Sequence, residues 1–184
     1  GLNIVTGWNR PEYAQMGMWP GDAHYQRRYD YAAEYVQILQ ALWQSGRASW
    51  DGEYFSLDDC SVLPVPKRSI PLVCAGQSPA GREFVACYAD HQFVLTSEDN
   101  LVTSVEDIRD KSAISGRNVG IYALFHMILA DTDDAAEAQV RQIIDAADQG
   151  AISNILASAS LDTNTGGTSD QLKAALDQDV EKGN

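Results

Sequence analysis

The apolar residues of the chain alternate between short runs and helical stripes. Leu2 to Thr6 is an apolar and β-branched run closed by Gly7, which predicts a buried strand followed by a loop. From Ala23 to Ser45 the apolar positions recur at spacings of three and four, which predicts one long helix, and Gly46 supplies its stop. The chain therefore opens with a strand, a polar loop and a helix.

Three more apolar runs are strand candidates, and each has a helical pattern after it: Leu72 to Ala75, Gln92 to Leu95 and Val119 to Ala130. The helix after the first of them starts at Ser78-Pro79, with serine as the cap and proline in the first turn. Four strand-and-helix units are typical of a parallel sheet with helices outside it. The pattern alone leaves two architectures open, a doubly wound sheet or part of a (β/α)8 barrel.

Two segments depart from this alternation. Between residues 48 and 57, Asp51-Gly52 separates two runs rich in aromatic and apolar residues, which predicts a hairpin. Leu161 to Asp170 is rich in Thr, Asn and Gly, which predicts a loop before a short helix near Leu172 to Leu176. We expect one α/β domain over residues 1–184, with a hairpin insertion near 48–57 and a loop and helix extension at 161–184.

Charge and composition exclude several classes of partner. The formal net charge is −13 and the 13 basic residues do not cluster, so nucleic acid and membrane surfaces are poor partners. There is no apolar run of about 18 residues, as a membrane span would need. The three cysteines and three histidines lack the paired spacing of a zinc site, so we assign no metal. A reducing cytoplasm fits this cysteine content best.

Chemically useful side chains gather after the first two strands of the predicted sheet. In parallel α/β folds ligands bind at the carboxyl ends of the strands. The first such end has a mixed set of polar side chains around it, in which an amide can donate and accept, and Arg and Tyr can donate to a phosphate. They are Asn3, Thr6, Glu12, Arg27, Arg28 and Tyr29. Ordinary roles explain the same residues, with Glu12 paired to a neighbouring arginine and Tyr29 packed in the core.

The second candidate is the glycine-flanked turn from Gly76 to Gly81, which leads into a helix. Helix N-termini bind phosphate through their free N–H groups, and Ser78 adds a hydroxyl. Ser78 as a plain helix cap explains the turn equally well. No G-x-G-x-x-G or P-loop follows any strand, so the standard dinucleotide and nucleoside triphosphate signatures are absent.

The chain resembles the bacterial-luciferase-like FMN-dependent monooxygenases in an ordered series of short stretches. These are Gly-Leu-Asn-Ile-Val-Thr-Gly-Trp-Asn-Arg-Pro-Glu-Tyr from Gly1 to Tyr13, then Met16-Gly17, Arg28-Tyr29 and Cys74-Ala75-Gly76-Gln77-Ser78. Within that family the likeness is greatest to the type that opens the uracil ring, through Trp19-Pro20-Gly21-Asp22 and Asp59-Cys60. Dimethylsulfone and alkanesulfonate monooxygenases share the pattern more loosely.

The resemblance implies a partial (β/α)8 TIM barrel of about four β/α units. Leu2 to Thr6 corresponds to the fourth barrel strand and Val119 to Ala130 to the seventh, so the first three strands and the eighth are expected to be missing. The implied FMN contacts are Asn3, Glu12, Arg28, Tyr29 and Ser78, of which the last three lie nearest the phosphate.

The resemblance also implies an activity. Reduced FMN from a separate NADH-dependent reductase would react with oxygen and open a pyrimidine such as uracil to a ureidoacrylate-type product. Because the cofactor performs the redox step, no side-chain nucleophile is needed. Two alternatives stay open: a sulfone or sulfonate substrate, or a non-catalytic half-barrel that closes by pairing with a second copy, since an open parallel sheet exposes apolar faces and bare edges. A homo-oligomer is expected in the cytoplasm.

Overall fold

The computed structural model describes residues 1–7, 9–161 and 170 of the 184-residue chain. Its strands are β1 (Leu2–Ile4), β2 (Arg47–Asp51), β3 (Ser56–Ser61), β4 (Leu72–Cys74), β5 (His91–Leu95) and β6 (Gly120–Leu124). Its helices are α1 (Arg10–Gln15), α2 (Asp22–Gln26), α3 (Arg28–Ser45), α4 (Pro79–Tyr88), α5 (Glu98–Ile114), α6 (Asp133–Asp145) and α7 (Gln149–Ala159). No helix in these ranges is long and apolar enough to cross a bilayer.

Four of the strands form one parallel sheet in the order β1, β4, β5, β6, as the alternation of the sequence predicts. Successive strands of this sheet lie side by side, with one or more helices between them along the chain, which is the connection that βα units make. The strands β2 and β3 pair antiparallel in a separate hairpin. The predicted parallel sheet of four β/α units is confirmed.

The two faces of the sheet differ because successive residues of a strand point to opposite sides. On one face Ile4, Leu72 and Cys74 join the core, where helices α3, α4 and α5 contribute Val36, Val85 and Ile108. On the other face Asn3 is exposed, and so are the apolar side chains Val5, Leu95, Tyr122 and Leu124. Asn3 therefore stands on the open face, away from the helices.

The predicted helix from Ala23 to Ser45 is wrong in one respect, since it is two helices that break at Arg27. The backbone of Arg27 leaves the helical range, with φ −105° and ψ 16°. Its side chain pairs with Asp30 at 3.2 Å and with the carboxylate of Glu53 on the hairpin. Apolar periodicity continues through the break, so the pattern alone does not reveal it. The consequence is that Arg28 is the first residue of α3.

The predicted strand from Val119 to Ala130 is too long, because β6 ends at Leu124. Each residue of β6 pairs with one of β5, and β5 itself ends at Leu95, opposite Leu124. Residues 125–130 consequently have no strand to pair with, and most of their side chains are exposed. His126, in the middle of this run, is among the exposed ones.

The hairpin is confirmed, but its strands are longer and its turn is wider than Asp51-Gly52 implies. Asp51 pairs with Ser56, which leaves a four-residue loop, 52–55, in place of a tight turn. The carboxylate of Glu34 on α3 occupies this loop and accepts from the backbone N–H groups of Tyr54 and Phe55, at 3.1 and 2.9 Å. A side chain at Gly52 would collide with that carboxylate.

The helices α1 and α7 were not predicted. Asp148 caps α7 by accepting from Ala151 N–H at 3.0 Å, which is a usable sequence signal. The loop predicted from Leu161 to Asp170 lies outside the described residues except for its two end residues. The helix predicted near Leu172 to Leu176 lies outside them entirely. The 161–184 extension therefore stays a prediction.

Candidate functional site

The turn after β4 ends in a buried serine cap. Ser78 accepts a hydrogen bond from Gly81 N–H at 3.2 Å, and Pro79 follows in the first turn of α4. The capping role expected for Ser78 is confirmed. A hydroxyl that accepts one bond keeps its own proton to donate. Ser78 can therefore cap the helix and donate to an anion at the same helix end.

Tyr29 brings the start of α3 to this turn. A Cβ placed on Gly76 would lie 2.9 Å from the Tyr29 hydroxyl oxygen, and one on Gly81 would lie 2.7 Å from it. Both glycines are needed because that hydroxyl lies against their backbone. The Tyr29 ring packs on Phe84 of α4, with ring centroids 5.7 Å apart. Tyr29 is thus packed, as its ordinary role requires, and also carries its hydroxyl to the turn.

Arg28 is the most unusual charged residue of the structure. Only 6% of its surface is exposed. Its Nη1 donates to the Tyr25 carbonyl at 2.8 Å, and its guanidinium lies over the rings of Tyr25 and Tyr29, at 4.1 and 5.0 Å. The two other nitrogens, Nε and Nη2, are buried with no hydrogen-bond partner.

Burying the Arg28 guanidinium in this way costs folding free energy unless an anion binds it. A buried cation needs a counter-charge or full hydrogen bonding, and Arg28 sits at the start of α3, where the helix dipole is already positive. No carboxylate in the described part of the chain forms an ion pair with it. Arg28 and the two helix starts are therefore suited to a negatively charged ligand.

Asn3 and Arg28 line the same cavity, of about 530 Å³, between β1 and α3. The cavity adds residues that the sequence reasoning missed: Tyr13, His24, Tyr31 and Tyr35. Tyr31 and Tyr35 follow Arg28 at the three- and four-residue steps of one helical face, so periodicity referred to Arg28 could have found them. His24 packs edge-on against Tyr31, with ring centroids 5.0 Å apart.

Glu12 is the predicted residue that stands apart. It is exposed on α1, and its carboxylate accepts from Asn9 Nδ2 at 2.6 Å. The expected pairing with Arg10 or Arg27 does not form, because Arg10 pairs with Asp22 and Arg27 with residues of α3 and the hairpin. In the described ranges, no hydrogen bond or ion pair joins Glu12 to the other four candidates.

The hairpin fixes the helix that carries Arg28. Burial tends to raise the pKa of Glu34, but hydrogen bonds from Phe55 N–H, Tyr54 N–H and the Trp50 indole outweigh it and lower that pKa below its usual range. Glu34 is therefore a carboxylate that holds the loop to α3.

Cys74, at the end of β4, is buried in the core. Burial raises the pKa of its thiol, which is consistent with a small apolar filler and not with a reactive thiolate.

This chain thus has a parallel sheet, and the starts of helices α3 and α4 beyond its first two strands are suited to bind an anion. Comparison of its sequence with known proteins places it in a family. The family model for luciferase-like monooxygenases matches residues 1–182. The chain belongs to this family.

Within this family, the chain is similar in sequence to proteins of one named type. The chain is 47% identical over 170 residues to the Pyrimidine monooxygenase RutA of Methylobacterium radiotolerans, covering 90% of this chain and 45% of that protein. It is 44% identical over 170 residues to the RutA of Methylorubrum extorquens strain AM1, covering 90% of this chain and 47% of that one. The chain thus spans about half the length of the curated relatives it matches.

A solved structure supports the fold. A riboflavin lyase crystallised with modified FMN and riboflavin superposes with a TM-score of 0.70 at 24% identity, over 79% of this chain and 38% of that one. The four β/α units described here are accordingly part of a luciferase-like (β/α)8 barrel, as the sequence predicted.

Proposed function

We propose that this chain carries the FMN phosphate site of a flavin-dependent monooxygenase that acts on a pyrimidine such as uracil. The observation that carries the proposal is the buried guanidinium of Arg28, whose Nε and Nη2 have no hydrogen-bond partner among the described residues. A phosphate is the ligand that satisfies them, since arginine forms paired, charge-assisted hydrogen bonds with phosphate oxygens.

The other candidate residues fit around that phosphate. Tyr29 and Ser78 offer hydroxyl protons at the turn where the starts of α3 and α4 meet. Asn3 stands on the open face of the sheet and lines the cavity with Arg28, where an amide can donate to and accept from a flavin ring edge. Glu12, exposed on α1, stays a proposed flavin contact on the family resemblance alone. FMN, when bound and reduced, supplies the oxygen-activating chemistry.

The substrate assignment rests on the relatives. Proteins called pyrimidine monooxygenase match 90% of this chain at 44% and 47% identity, so uracil ring opening to a ureidoacrylate-type product is the activity that we assign to the gene product. Under this assignment the residues of the chain bind and orient the flavin and exclude water from it. A separate NADH-dependent reductase supplies the reduced FMN, and the enzyme is a cytoplasmic homo-oligomer.

Arg28 and Arg27 offer a matched test of the phosphate site, because they are adjacent arginines with opposite environments. We expect Arg28→Met to weaken FMN binding at least about tenfold, since hydrogen bonds to charged groups are worth about 1.5–3 kcal/mol each. Arg27 is already paired with Glu53 and Asp30, so Arg27→Met should leave FMN binding near the wild-type value. Flavin fluorescence titration of the gene product measures both.

Riboflavin, which lacks the phosphate, completes the design. Its affinity should be nearly the same in the wild type and in Arg28→Met. Equal weakening of FMN and riboflavin binding in Arg28→Met would contradict a phosphate contact.

Turnover tests the activity itself. The gene product is incubated with a flavin reductase, FMN, NADH and uracil, and uracil loss is followed by chromatography. Rapid NADH oxidation with unchanged uracil would count against the pyrimidine assignment, and turnover of dimethylsulfone alone would move the substrate to the sulfones.

A further inference from the structure

Two side chains from outside the candidate site donate hydrogen bonds to backbone carbonyls of the turn that carries Ser78. Gln92 Nε2, on β5, donates to the Gly76 carbonyl at 2.8 Å. Arg82 Nε, on α4, donates to the Gln77 carbonyl at 2.9 Å. Two consecutive carbonyls of the turn are thus bound on the side of the sheet and helices.

Both donors are themselves fixed. Gln92 is only 1% exposed and stands beside Cys74 in the sheet register. Arg82 Nη1 donates to Asp107 Oδ2 of α5 at 3.0 Å, and Lys111 Nζ donates to the other oxygen of the same carboxylate at 2.7 Å. This Arg82–Asp107–Lys111 chain is partly shielded from water, so it is screened less than a surface ion pair.

The orientation of these carbonyls matters because each peptide group has two ends. When its C=O is bound on one side, the N–H of the following residue points to the opposite side, since the peptide is planar and trans. Binding the carbonyls of Gly76 and Gln77 therefore sets where the N–H groups of Gln77 and Ser78 point.

We propose that Gln92 and the Arg82–Asp107 pair are positioning residues that orient the Gly76–Ser78 turn for the phosphate of the flavin. The inference rests on the proposed function, because it takes the phosphate as the ligand of the turn. None of the three side chains needs to touch the flavin. Their effect on binding passes through the backbone that they hold.

Substitutions at Arg82 separate this role from a general contribution to the fold. Arg82→Met removes both the bond to the turn and the ion pair, whereas Arg82→Lys keeps a charge beside Asp107 but loses the guanidinium fork that reaches both acceptors. Arg141→Met is the matched control, because Arg141 pairs with Glu137 on the exposed surface of α6, away from the turn. Gln92→Leu removes the second donor with similar volume, and so provides an independent test if an Arg82 variant fails to fold.

The measurement is the ratio of FMN to riboflavin affinity in the full gene product, by flavin fluorescence titration, with the melting temperature taken in parallel. We expect this ratio to fall about tenfold, about 1.4 kcal/mol, in Arg82→Met, Arg82→Lys and Gln92→Leu. Riboflavin affinity should stay within about twofold of the wild type, and Arg141→Met should not change the ratio.

The outcomes separate the two proposals. A wild-type protein with no preference for FMN over riboflavin overturns the phosphate site and this inference together. A wild-type preference that survives unchanged in the Arg82 and Gln92 variants overturns only the inference. The inference is also overturned if the variants lower both affinities equally, in step with a lower melting temperature, because Arg82 and Gln92 would then serve the fold alone.

Discussion

Replacing Gly81 with alanine tests the contact between the starts of α3 and α4, because two opposing effects act on one methyl group. Alanine inside a helix is more favourable than glycine by up to about 1 kcal/mol. At Gly81, however, the new Cβ would lie 2.7 Å from the Tyr29 hydroxyl and 2.9 Å from backbone atoms of Gly76. Real Cβ atoms do not approach so closely, and backbone cannot rotate away as the end of a side chain can.

Steric overpacking of a buried site costs about 1–3 kcal/mol, so we expect Gly81→Ala to lower the free energy of unfolding by about 1 kcal/mol net. In a chain of this size that corresponds to a melting temperature lower by about 2–4 °C. Gly150→Ala, in the first turn of α7, is the comparison, since its Cβ would meet no backbone and only Asp148 Oδ1, at 3.1 Å. Because that oxygen also caps α7, its small displacement should offset the gain in helix propensity, and we expect a net change near zero.

Urea unfolding of both variants, followed by circular dichroism, measures the difference. If Gly81→Ala proves at least as stable as the wild type and as Gly150→Ala, the close approach of Tyr29 to the turn is refuted. The Tyr29 hydroxyl would then have no fixed place beside Ser78.

Three further predictions concern the core, a buried carboxylate and the helix caps. Ile108→Ala should lower the free energy of unfolding by about 2–5 kcal/mol because Ile108 is fully buried, whereas Ile114→Ala on the same helix, 90% exposed, should change it by less than about 0.5 kcal/mol; similar losses in urea unfolding would contradict the core assignment. The folded pKa of Glu34 lies below the unfolded value of about 4.3, so its contribution to stability is present above about pH 4.3 and lost as pH falls through the lower folded pKa. Wild type and Glu34→Gln should therefore differ in urea midpoint at pH 7 and converge as pH falls below the folded pKa, and a gap that persists once Glu34 is protonated would show that the carboxylate is not the cause. Ser78→Ala and Thr132→Ala each remove a helix cap and should each cost about 1 kcal/mol of stability, but only Ser78→Ala should weaken FMN binding in a fluorescence titration; equal FMN affinities would remove Ser78 from the phosphate site.

Local chemistry could be predicted from the sequence where it is decided by neighbours along the chain. The starts of β1 at Leu2 and β4 at Leu72, the cap at Ser78 and the start of α4 at Pro79 all follow from residue type and short spacing, although both strands end earlier than the pattern predicts, at Ile4 and Cys74. The parallel sheet follows from the repeated order of strands and helices.

Features that depend on a distant partner could not be predicted in this way. β6 stops at Leu124 because β5 offers no residue beyond Leu95 to pair with it. The hairpin loop is wide because the side chain of Glu34, on α3, reaches into it. The break between α2 and α3 lies at Arg27, whose side chain pairs with Glu53 of the hairpin, a partner distant in sequence.

The candidate site shows the same division. The residue types at Arg28, Tyr29 and Ser78 make them candidate hydrogen-bond donors to a phosphate. Only the folded chain shows that Arg28 is buried with N–H groups that have no partner among the described residues, and that Tyr29 reaches the turn from Gly76 to Gly81. His24 joins through the cavity, which no local pattern specifies.

Under the proposed phosphate site, the buried guanidinium of Arg28 also links the lifetime of the protein to its ligand supply. Any anion that binds the folded chain there, and not the unfolded one, shifts the folding equilibrium by mass action. At a ligand concentration one hundred times its dissociation constant, that shift is about 2.7 kcal/mol. When flavin is scarce, more of the chain unfolds and becomes open to proteases, so the cell would keep the protein in proportion to the cofactor available to fill it.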